Sequence, residues 1–232
     1  MFRRLANSLA RAMRRNEAQS RLADVLVRLN HEVTDGLLRI PTYLLLHELI
    51  RDPSAVGTIC SSSEPLAERM AAWVDPEQPG WIVELGGGTG AITATLLKRG
   101  AGAEKLIVIE RSTLLARHLR ERFPGVRVLH GDAAEIRTIT NAGMQVAAVV
   151  SSLPMHSLSA EVVARITGAC AMALGENGRL IQFTYWPRTA SAWPAAGLLR
   201  IASETVWSNL PPARVEVFTH SGPRHATAER SR

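Results

Sequence analysis

The stretch VELGGGTG, residues 83–90, decides the fold that this sequence predicts. It overlaps the apolar run WIVEL of residues 81–85, which is typical of a buried strand, and a helical pattern follows over residues 91–98. A glycine-rich loop between a strand and a helix lets the backbone approach a ligand at the N-terminus of that helix. These segments therefore predict one unit of a layered α/β fold with a ligand site at the loop.

Short apolar runs alternate with helical patterns after residue 80. The strand-like runs cover residues 81–85, 105–110, 126–130, 146–152 and 179–185, and two more strands are expected at 200–207 and 213–218. The helical patterns cover residues 91–98, 112–122 and 159–174, and a further helix is expected after Ser63. Buried strands that alternate with helices predict a mostly parallel seven-stranded sheet with helices on both faces.

The glycines alone do not settle the ligand of the loop. Gly86, Gly88 and Ala91 also satisfy the looser dinucleotide pattern G-x-G-x-x-[GA]. A plain strand-to-helix turn with a salt-bridged Glu84 is a further interpretation. No Lys followed by Ser or Thr comes after the glycines, so the loop is not of the nucleoside-triphosphate type.

Three acidic residues favour S-adenosylmethionine as the ligand. Glu84 precedes the loop, where a carboxylate suits the cationic end of an amino-acid ligand better than a pyrophosphate. Glu110 closes the second predicted strand, where a carboxylate can accept both ribose hydroxyls. Asp132 follows the third predicted strand and is placed to meet the adenine amino group.

This pattern resembles class I S-adenosylmethionine-dependent methyltransferases, whose motif E-x-G-x-G-x-G is matched from Glu84 to Gly90. The resemblance implies a Rossmann-like fold and S-adenosylmethionine as cofactor. It also implies that Glu84 and the loop hold the methionine part, Glu110 the ribose and Asp132 the adenine. The other cofactor-binding residues that we expect are Gly86, Gly87, Gly88, Gly90, Ala133 and Ser151.

The turn after the fourth predicted strand bears on the methyl acceptor. Amino-group methyltransferases acting on adenine usually carry Asn/Asp-Pro-Pro-aromatic or Asn-Leu-Pro-aromatic here, and this chain reads SSLPM over residues 151–155. Ser152 is a smaller polar group, and Met155 replaces the aromatic ring that would stack on a base. The turn therefore argues against a nucleobase substrate, and we expect no nucleic-acid partner.

Four further blocks carry a second resemblance: RDPSAVGTICSSSEPLAERM (51–70), SSLP (151–154), GRLIQFTYWP (178–187) and NLPPARVEVF (209–218). They resemble bacterial phospholipid N-methyltransferases, which convert phosphatidylethanolamine to phosphatidylcholine. The chain departs from that family at Gly87, where proline is expected, and at Ser152, where glycine is frequent. The resemblance implies methylation of phosphatidylethanolamine and its mono- and dimethyl forms. The alternatives are another amine, such as ornithine lipid or RNA adenine, or a membrane-binding protein with a regulatory cofactor site.

Candidate acceptor-site residues cluster around the same blocks. An amine with a pKa of about 10 must lose a proton before it attacks a methyl group, and His156 follows the turn as a candidate proton acceptor. Tyr185 ends the QFTY block, where its ring can face a cationic amine, and Ser152 completes the predicted catalytic set. His156 has a purely structural alternative as a helix cap or surface residue. Tyr185 has one as a tyrosine at a strand end with a solvated hydroxyl. The predicted substrate-binding residues are Leu153, Pro154, Tyr43, Trp186 and Arg188, with Arg214 as a further candidate for the lipid phosphate.

Residues 1–55 are predicted to form an amphipathic helical arm, and residues 56–232 the methyltransferase core. Residues 1–30 hold seven arginines against Glu17 and Asp24, so they carry +5 of the chain's net charge of +6. Such a helix binds an anionic phospholipid surface. The two cysteines lack metal-ligand spacing and indicate a reducing compartment. We therefore expect a cytoplasmic protein, peripheral on the inner face of the cell membrane.

Overall fold

A computed structural model describes residues 64–140, 144–185, 190–209 and 212–220 of the chain. All of these residues belong to the predicted methyltransferase core. The predicted arm of residues 1–55 lies outside these ranges. So do three of the predicted substrate-binding residues, Tyr43, Trp186 and Arg188.

Seven strands of the described residues form one sheet. The strands are β1 (Trp81–Leu85), β2 (Leu106–Glu110), β3 (Arg127–His130), β4 (Val146–Ser151), β5 (Leu174–Thr184), β6 (Leu198–Val206) and β7 (Ala213–His220). The helices are α1 (Glu64–Ala71), α2 (Ala91–Lys98), α3 (Thr113–Arg122), α4 (Ile136–Thr140) and α5 (Ala160–Ala173). Short 3-10 turns cover Ala103–Lys105, Ala133–Glu135, Met155–Ser157 and Trp193–Ala196. In this part of the chain, no helix combines the length and the apolar content needed to cross a bilayer.

The strand order is β3-β2-β1-β4-β5-β7-β6. Strands β1 to β5 run parallel, and β7 is antiparallel to both of its neighbours. The prediction of a mostly parallel seven-stranded sheet is therefore confirmed. The order reverses between β1 and β4, and ligands of such sheets bind beside the carboxyl ends of the strands at this reversal. The fold thus brings the glycine loop after β1 next to the turn after β4.

Alternating side chains of the strands pack against helices on the two faces of the sheet. In β2, Leu106 and Val108 join a buried cluster with α1, α2 and α3. Ile107 and Ile109 join a second cluster with α4 and α5. The alternation follows from the two-residue repeat of a strand, and the apolar content of every β2 position matches burial on both faces. The prediction of helices on both faces is confirmed for the described residues.

The element bounds differ from the sequence prediction at a few points. Strand β5 begins at Leu174 and not at residue 179, because Leu174 pairs with Val146 across a register shift in β4. The intervening GENG segment is polar and glycine-rich, a composition that predicts a turn. Helix α4 was not expected, because its five residues are too few for a helical repeat to be visible.

Candidate cofactor and acceptor site

The glycine loop between β1 and α2 has a backbone that suits glycine. Gly86, Gly88 and Gly90 adopt φ values of 76°, 54° and 84°, in the left-handed region that other residues rarely adopt. A Cβ atom added to Gly88 would meet no heavy atom within 4 Å, whereas one added to Gly90 would lie 2.5 Å from the ring of Phe123. The loop is therefore packed against α3 at one end and open at Gly88, where a ligand can approach the backbone.

Position 87 requires glycine because neighbouring side chains leave no room for a Cβ atom. A Cβ atom on Gly87 would overlap the Cγ1 atom of Val108 and lie 2.8 Å from the Cδ1 atom of Leu119. A proline ring, which the resemblance led us to expect here, would meet the same two side chains. The departure from the family pattern thus follows from how closely this loop packs on β2 and α3.

We expect Gly87→Ala to lower the free energy of unfolding by about 1–3 kcal/mol, because the added methyl group overpacks a filled site. Urea titration monitored by circular dichroism would measure the loss. Gly168→Ala is the matched control, since Gly168 lies inside α5 and its added Cβ would meet nothing within 4 Å. There we expect a gain of about 0.5–1 kcal/mol. Equal effects of the two substitutions would contradict the packing argument.

Glu84 is a fully buried carboxyl at the end of β1. Its Oε2 atom accepts a hydrogen bond of 2.6 Å from the hydroxyl of Thr93 in α2. Its Oε1 atom is buried and has no hydrogen-bond partner among the described residues. Burial raises the pKa of Glu84 to about 8; the bond from Thr93 lowers it and the charge of Glu110 raises it further. A buried acceptor that lacks a donor fits the ammonium group of the cofactor's methionine part.

Glu110 ties the end of β2 to the glycine loop. Its Oε2 atom accepts a hydrogen bond of 2.9 Å from the backbone N–H of Gly88, and its Oε1 atom accepts one of 2.8 Å from the N–H of Ser112. The side chain is buried at the carboxyl end of β2, beside the half-buried backbone of Gly88. This position suits the predicted role of Glu110 toward the ribose, because a carboxylate offers about four acceptor sites.

Asp132 follows β3, where the sequence predicted it. Its Oδ1 atom caps the next turn by accepting a hydrogen bond of 2.9 Å from the N–H of Ala134. Its Oδ2 atom forms an ion pair of 3.1 Å with Arg165 of α5, a residue that sequence reasoning missed. Ala133 is buried beside it. The role of Asp132 and Ala133 toward adenine stays a prediction.

The turn after β4 lies against the glycine loop. The N–H of Ser152 donates a hydrogen bond of 2.9 Å to the carbonyl of Leu85, the residue before the loop. The Cδ2 atom of Leu153 lies 3.2 Å from the position that a Cβ atom on Gly86 would take. Ser151 is fully buried, and its hydroxyl accepts a bond of 3.4 Å from the N–H of Leu153. The structure therefore brings the predicted acceptor turn to the predicted cofactor loop.

A pocket with a cavity of about 90 Å³ opens beside this turn, at the ends of β4 and β5. Five predicted residues line it together: Ser152, Leu153, Pro154, His156 and Tyr185. The ring of Tyr185 packs edge-on against that of Phe183, with ring centroids 5.3 Å apart. His156 lies in the exposed 3-10 turn Met155–Ser157. Their chemical roles stay predictions, but their convergence on one pocket agrees with them.

Two buried polar residues of this pocket were missed from the sequence. Gln182 lies in β5 within the QFTY block, and its amide nitrogen donates to the carbonyls of Leu153 and Phe183 at 3.2 and 2.7 Å. Glu216 of β7 is buried and pairs with Arg200 at 2.8 Å and Arg214 at 3.3 Å. A polar residue within an otherwise apolar strand was the available signal for both. Arg214, a sequence candidate for the lipid phosphate, thus contacts a buried carboxylate.

Comparison with known proteins agrees with this geometry. Residues 82–178 match the sequence profile of a family described as a methyltransferase domain. An ornithine lipid N-methyltransferase from Singulisphaera acidiphila is 29% identical over 176 residues, which cover 74% of this chain and 92% of that protein. A TehB-like S-adenosylmethionine-dependent methyltransferase from Corynebacterium glutamicum has a TM-score of 0.55 at 20% identity, covering 76% of this chain and 96% of the other. A glycopeptide N-methyltransferase complexed with S-adenosylmethionine has a TM-score of 0.56 at 13% identity, covering 70% and 88%.

The sheet topology and the likeness to solved structures show that the described core has the fold of class I S-adenosylmethionine-dependent methyltransferases. Residues 82–178, which contain the glycine loop, match a methyltransferase domain. The predictions of the Rossmann-like core fold and of S-adenosylmethionine as cofactor are confirmed, whereas the predicted N-terminal helices lie outside the described residues. The unsatisfied Oε1 atom of Glu84 and the open face at Gly88 fit that cofactor, because they provide an acceptor and a backbone approach at one loop.

Proposed function

We propose that this methyltransferase adds methyl groups to the amine of an amino lipid, with ornithine lipid as the first candidate and phosphatidylethanolamine as the second. The observation that carries the proposal is the match to an ornithine lipid N-methyltransferase over 92% of that protein. A match over the cofactor-binding half alone would cover much less of it. The sequence blocks that resemble phosphatidylethanolamine methyltransferases support the same class of acceptor, an aliphatic amine on a lipid.

The turn beside the pocket supports an aliphatic amine over a nucleobase. Met155 occupies the position at which an adenine methyltransferase places an aromatic ring, and it lies in the pocket wall. The remaining polar groups of the wall include the amide of Gln182 and the hydroxyl of Ser152. Such groups hold a small polar nitrogen by hydrogen bonds and do not require a planar base.

The proposed chemistry is a direct displacement. When bound, S-adenosylmethionine supplies a methyl group on a sulfonium; the lone pair of the acceptor nitrogen forms the new carbon–nitrogen bond, and the electrons of the broken carbon–sulfur bond stay on sulfur. Glu84 would hold the ammonium end of the cofactor, and Glu110 its ribose. His156, at the exposed side of the pocket, is the proposed acceptor for the proton that each nitrogen loses. The ring of Tyr185 would face the cationic product.

The charge of the N-terminal arm supports a membrane location for this reaction. Residues 1–30 carry a net charge of +5, and each arginine near an anionic surface contributes on the order of 1 kcal/mol of binding. The proposed enzyme is therefore peripheral at the inner face of the cell membrane, with the arm holding the core near its lipid substrate.

We expect the purified protein to transfer labelled methyl groups to lipid in vesicles. Three preparations of phosphatidylglycerol vesicles separate the candidates: one with ornithine lipid, one with phosphatidylethanolamine and one with neither. Thin-layer chromatography should detect labelled ornithine lipid at the highest rate and none in the third preparation. Glu84→Gln is the control for cofactor-dependent transfer. Absence of labelled lipid in all three preparations would overturn the proposal, and labelled adenine in added RNA would favour the RNA alternative.

A further inference from the structure

Gln182 is a buried polar residue to which sequence reasoning gave no role. Only 4% of its surface is exposed, and it lines the pocket beside the turn that follows β4. Its amide nitrogen donates to the carbonyl oxygens of Leu153 and Phe183. Its amide oxygen, Oε1, is buried and accepts no hydrogen bond from any residue that the structure describes. A buried acceptor without a donor is unfavourable unless a ligand satisfies it.

The two carbonyl partners determine which way the amide points. A carbonyl oxygen only accepts hydrogen bonds, so the NH2 group must face Leu153 and Phe183. The opposite orientation would place the amide oxygen against two other oxygens and lose both bonds. The bond to Leu153 also links Gln182 to the turn that contacts the glycine loop. The Oε1 atom is therefore an acceptor of fixed orientation on a residue that lines the pocket.

We infer that Gln182 binds the acceptor nitrogen, with Oε1 accepting a hydrogen bond from an N–H of the amine to be methylated. This inference rests on the proposed function, because it requires an amine in the pocket. A neutral amine attacks with its lone pair directed at the methyl group, so its remaining N–H bonds point elsewhere. An N–H bond held by Oε1 would orient the lone pair and lower the cost of reaching the transition state.

The number of methyl groups already present determines whether Gln182 can act. A neutral primary amine has two N–H bonds, a secondary amine one and a tertiary amine none. Each transfer forms one carbon–nitrogen bond, and the first two each release one proton from nitrogen to a base or to water. A protonated tertiary amine has an N–H bond, but that proton occupies the lone pair needed for attack. Gln182 therefore assists the first and second methylations and not the third.

The test compares the wild type with Gln182→Met, which is similar in size and has no amide. Three matched substrates are used in vesicles: the unmethylated, monomethylated and dimethylated forms of whichever amino lipid the wild type methylates. We expect kcat/KM to fall about 10- to 30-fold on the first two lipids and less than about 3-fold on the third. A loss by the same factor on all three would show a structural role only and would overturn the inference.

Two further variants separate binding from folding. Thr219→Val is a control for loss of a hydrogen bond to β5 away from the pocket. It removes the bond of 2.9 Å from the Thr219 hydroxyl to the carbonyl of Gly178 in β5, and it should change the rates on all three lipids by the same factor.

Gln182→Glu keeps a side-chain oxygen for the amine, and its second oxygen, when protonated, can donate to one of the two carbonyls that Gln182 contacts. It should keep the ratio of the rates on the first two lipids to the rate on the third closer to that of the wild type than Gln182→Met does. If Gln182→Met does not fold, this ratio compared with the wild type decides the matter. A uniform loss on all three lipids in Gln182→Glu would overturn the inference. If the wild type labels no lipid, the proposed function itself is wrong and the inference falls with it.

Discussion

Glu84→Gln should weaken the binding of S-adenosylhomocysteine by about 100-fold, because an ionic hydrogen bond to the ligand's ammonium group becomes a neutral one. The carboxyl of Glu84 is fully buried, and its Oε1 atom has no partner among the described residues. Burial raises its pKa to about 8, so the carboxyl must lose a proton when it binds the ammonium group at lower pH. Wild-type affinity should therefore rise from pH 6 towards pH 8, and that of the variant should not.

The free energy of unfolding of the cofactor-free protein should also depend on the protonation of Glu84. The pKa of Glu84 is about 8 in the folded protein and 4.5 in the reference state, so the folded protein binds the proton more tightly. Its contribution to the free energy of unfolding is complete below pH 4.5 and is lost as the pH rises to about 8. Glutamine cannot titrate, so this decline should be smaller in Glu84→Gln.

Isothermal titration calorimetry with S-adenosylhomocysteine and urea unfolding at several pH values would measure both effects. Glu216→Gln is the matched control. Glu216 is also a buried carboxylate of the sheet, but it lines the pocket beside the turn after β4 and not the glycine loop. It should leave the affinity for S-adenosylhomocysteine within about 3-fold. Equal affinity losses in the two variants would mean that Glu84 has no specific contact with the cofactor.

Glu110→Gln is expected to weaken S-adenosylhomocysteine binding by about 30- to 100-fold and to lower stability. The two oxygens of Glu110 accept hydrogen bonds from the N–H groups of Gly88 and Ser112. A glutamine would place its own NH2 group against one of these donors, which leaves a buried donor unsatisfied. Either the loop at Gly88 or the start of α3 at Ser112 would lose its bond to this side chain, and the ribose would lose an acceptor.

The same calorimetric and urea measurements apply to Glu110→Gln. Glu121→Gln serves as its control, because Glu121 is an exposed carboxylate of α3 that pairs only with Arg117 among the described residues. Exposed pairs of this kind contribute about 0–1 kcal/mol, so affinity should not change. Unchanged affinity in Glu110→Gln would show that neither the loop attachment nor the ribose contact depends on this carboxylate.

Local patterns in the sequence predict the secondary structure around the glycine loop well. Strand β1 and helix α2 have the expected bounds, 81–85 and 91–98, because the apolar run, the glycines and the helical repeat adjoin one another. Glu110 was also predictable, since it closes an apolar run whose end marks the edge of the sheet. The strand, the loop and the helix adjoin one another in sequence, so local patterns alone locate them.

The acceptor half depends on contacts between residues distant in sequence. Gln182 reaches Leu153 across 29 positions in the chain. Nothing in the local sequence around Gln182 shows that its amide oxygen is unsatisfied, because this depends on how β5 packs beside the turn after β4. The need for glycine at position 87 is also invisible in the local sequence. An added Cβ atom would overlap Val108 and Leu119 only because the loop packs on the sheet.

The most direct test of the central claim is the lipid composition of a bacterial host that lacks methylated amino lipids and produces ornithine lipid and phosphatidylethanolamine. Mass spectrometry of its lipid extracts would be compared before and after expression of the wild type or of Glu84→Gln. We predict new mono-, di- and trimethylated forms of an amino lipid with the wild type alone. An unchanged lipid profile, in cells whose purified wild-type protein binds S-adenosylhomocysteine, would contradict the assignment of a lipid amine as the methyl acceptor.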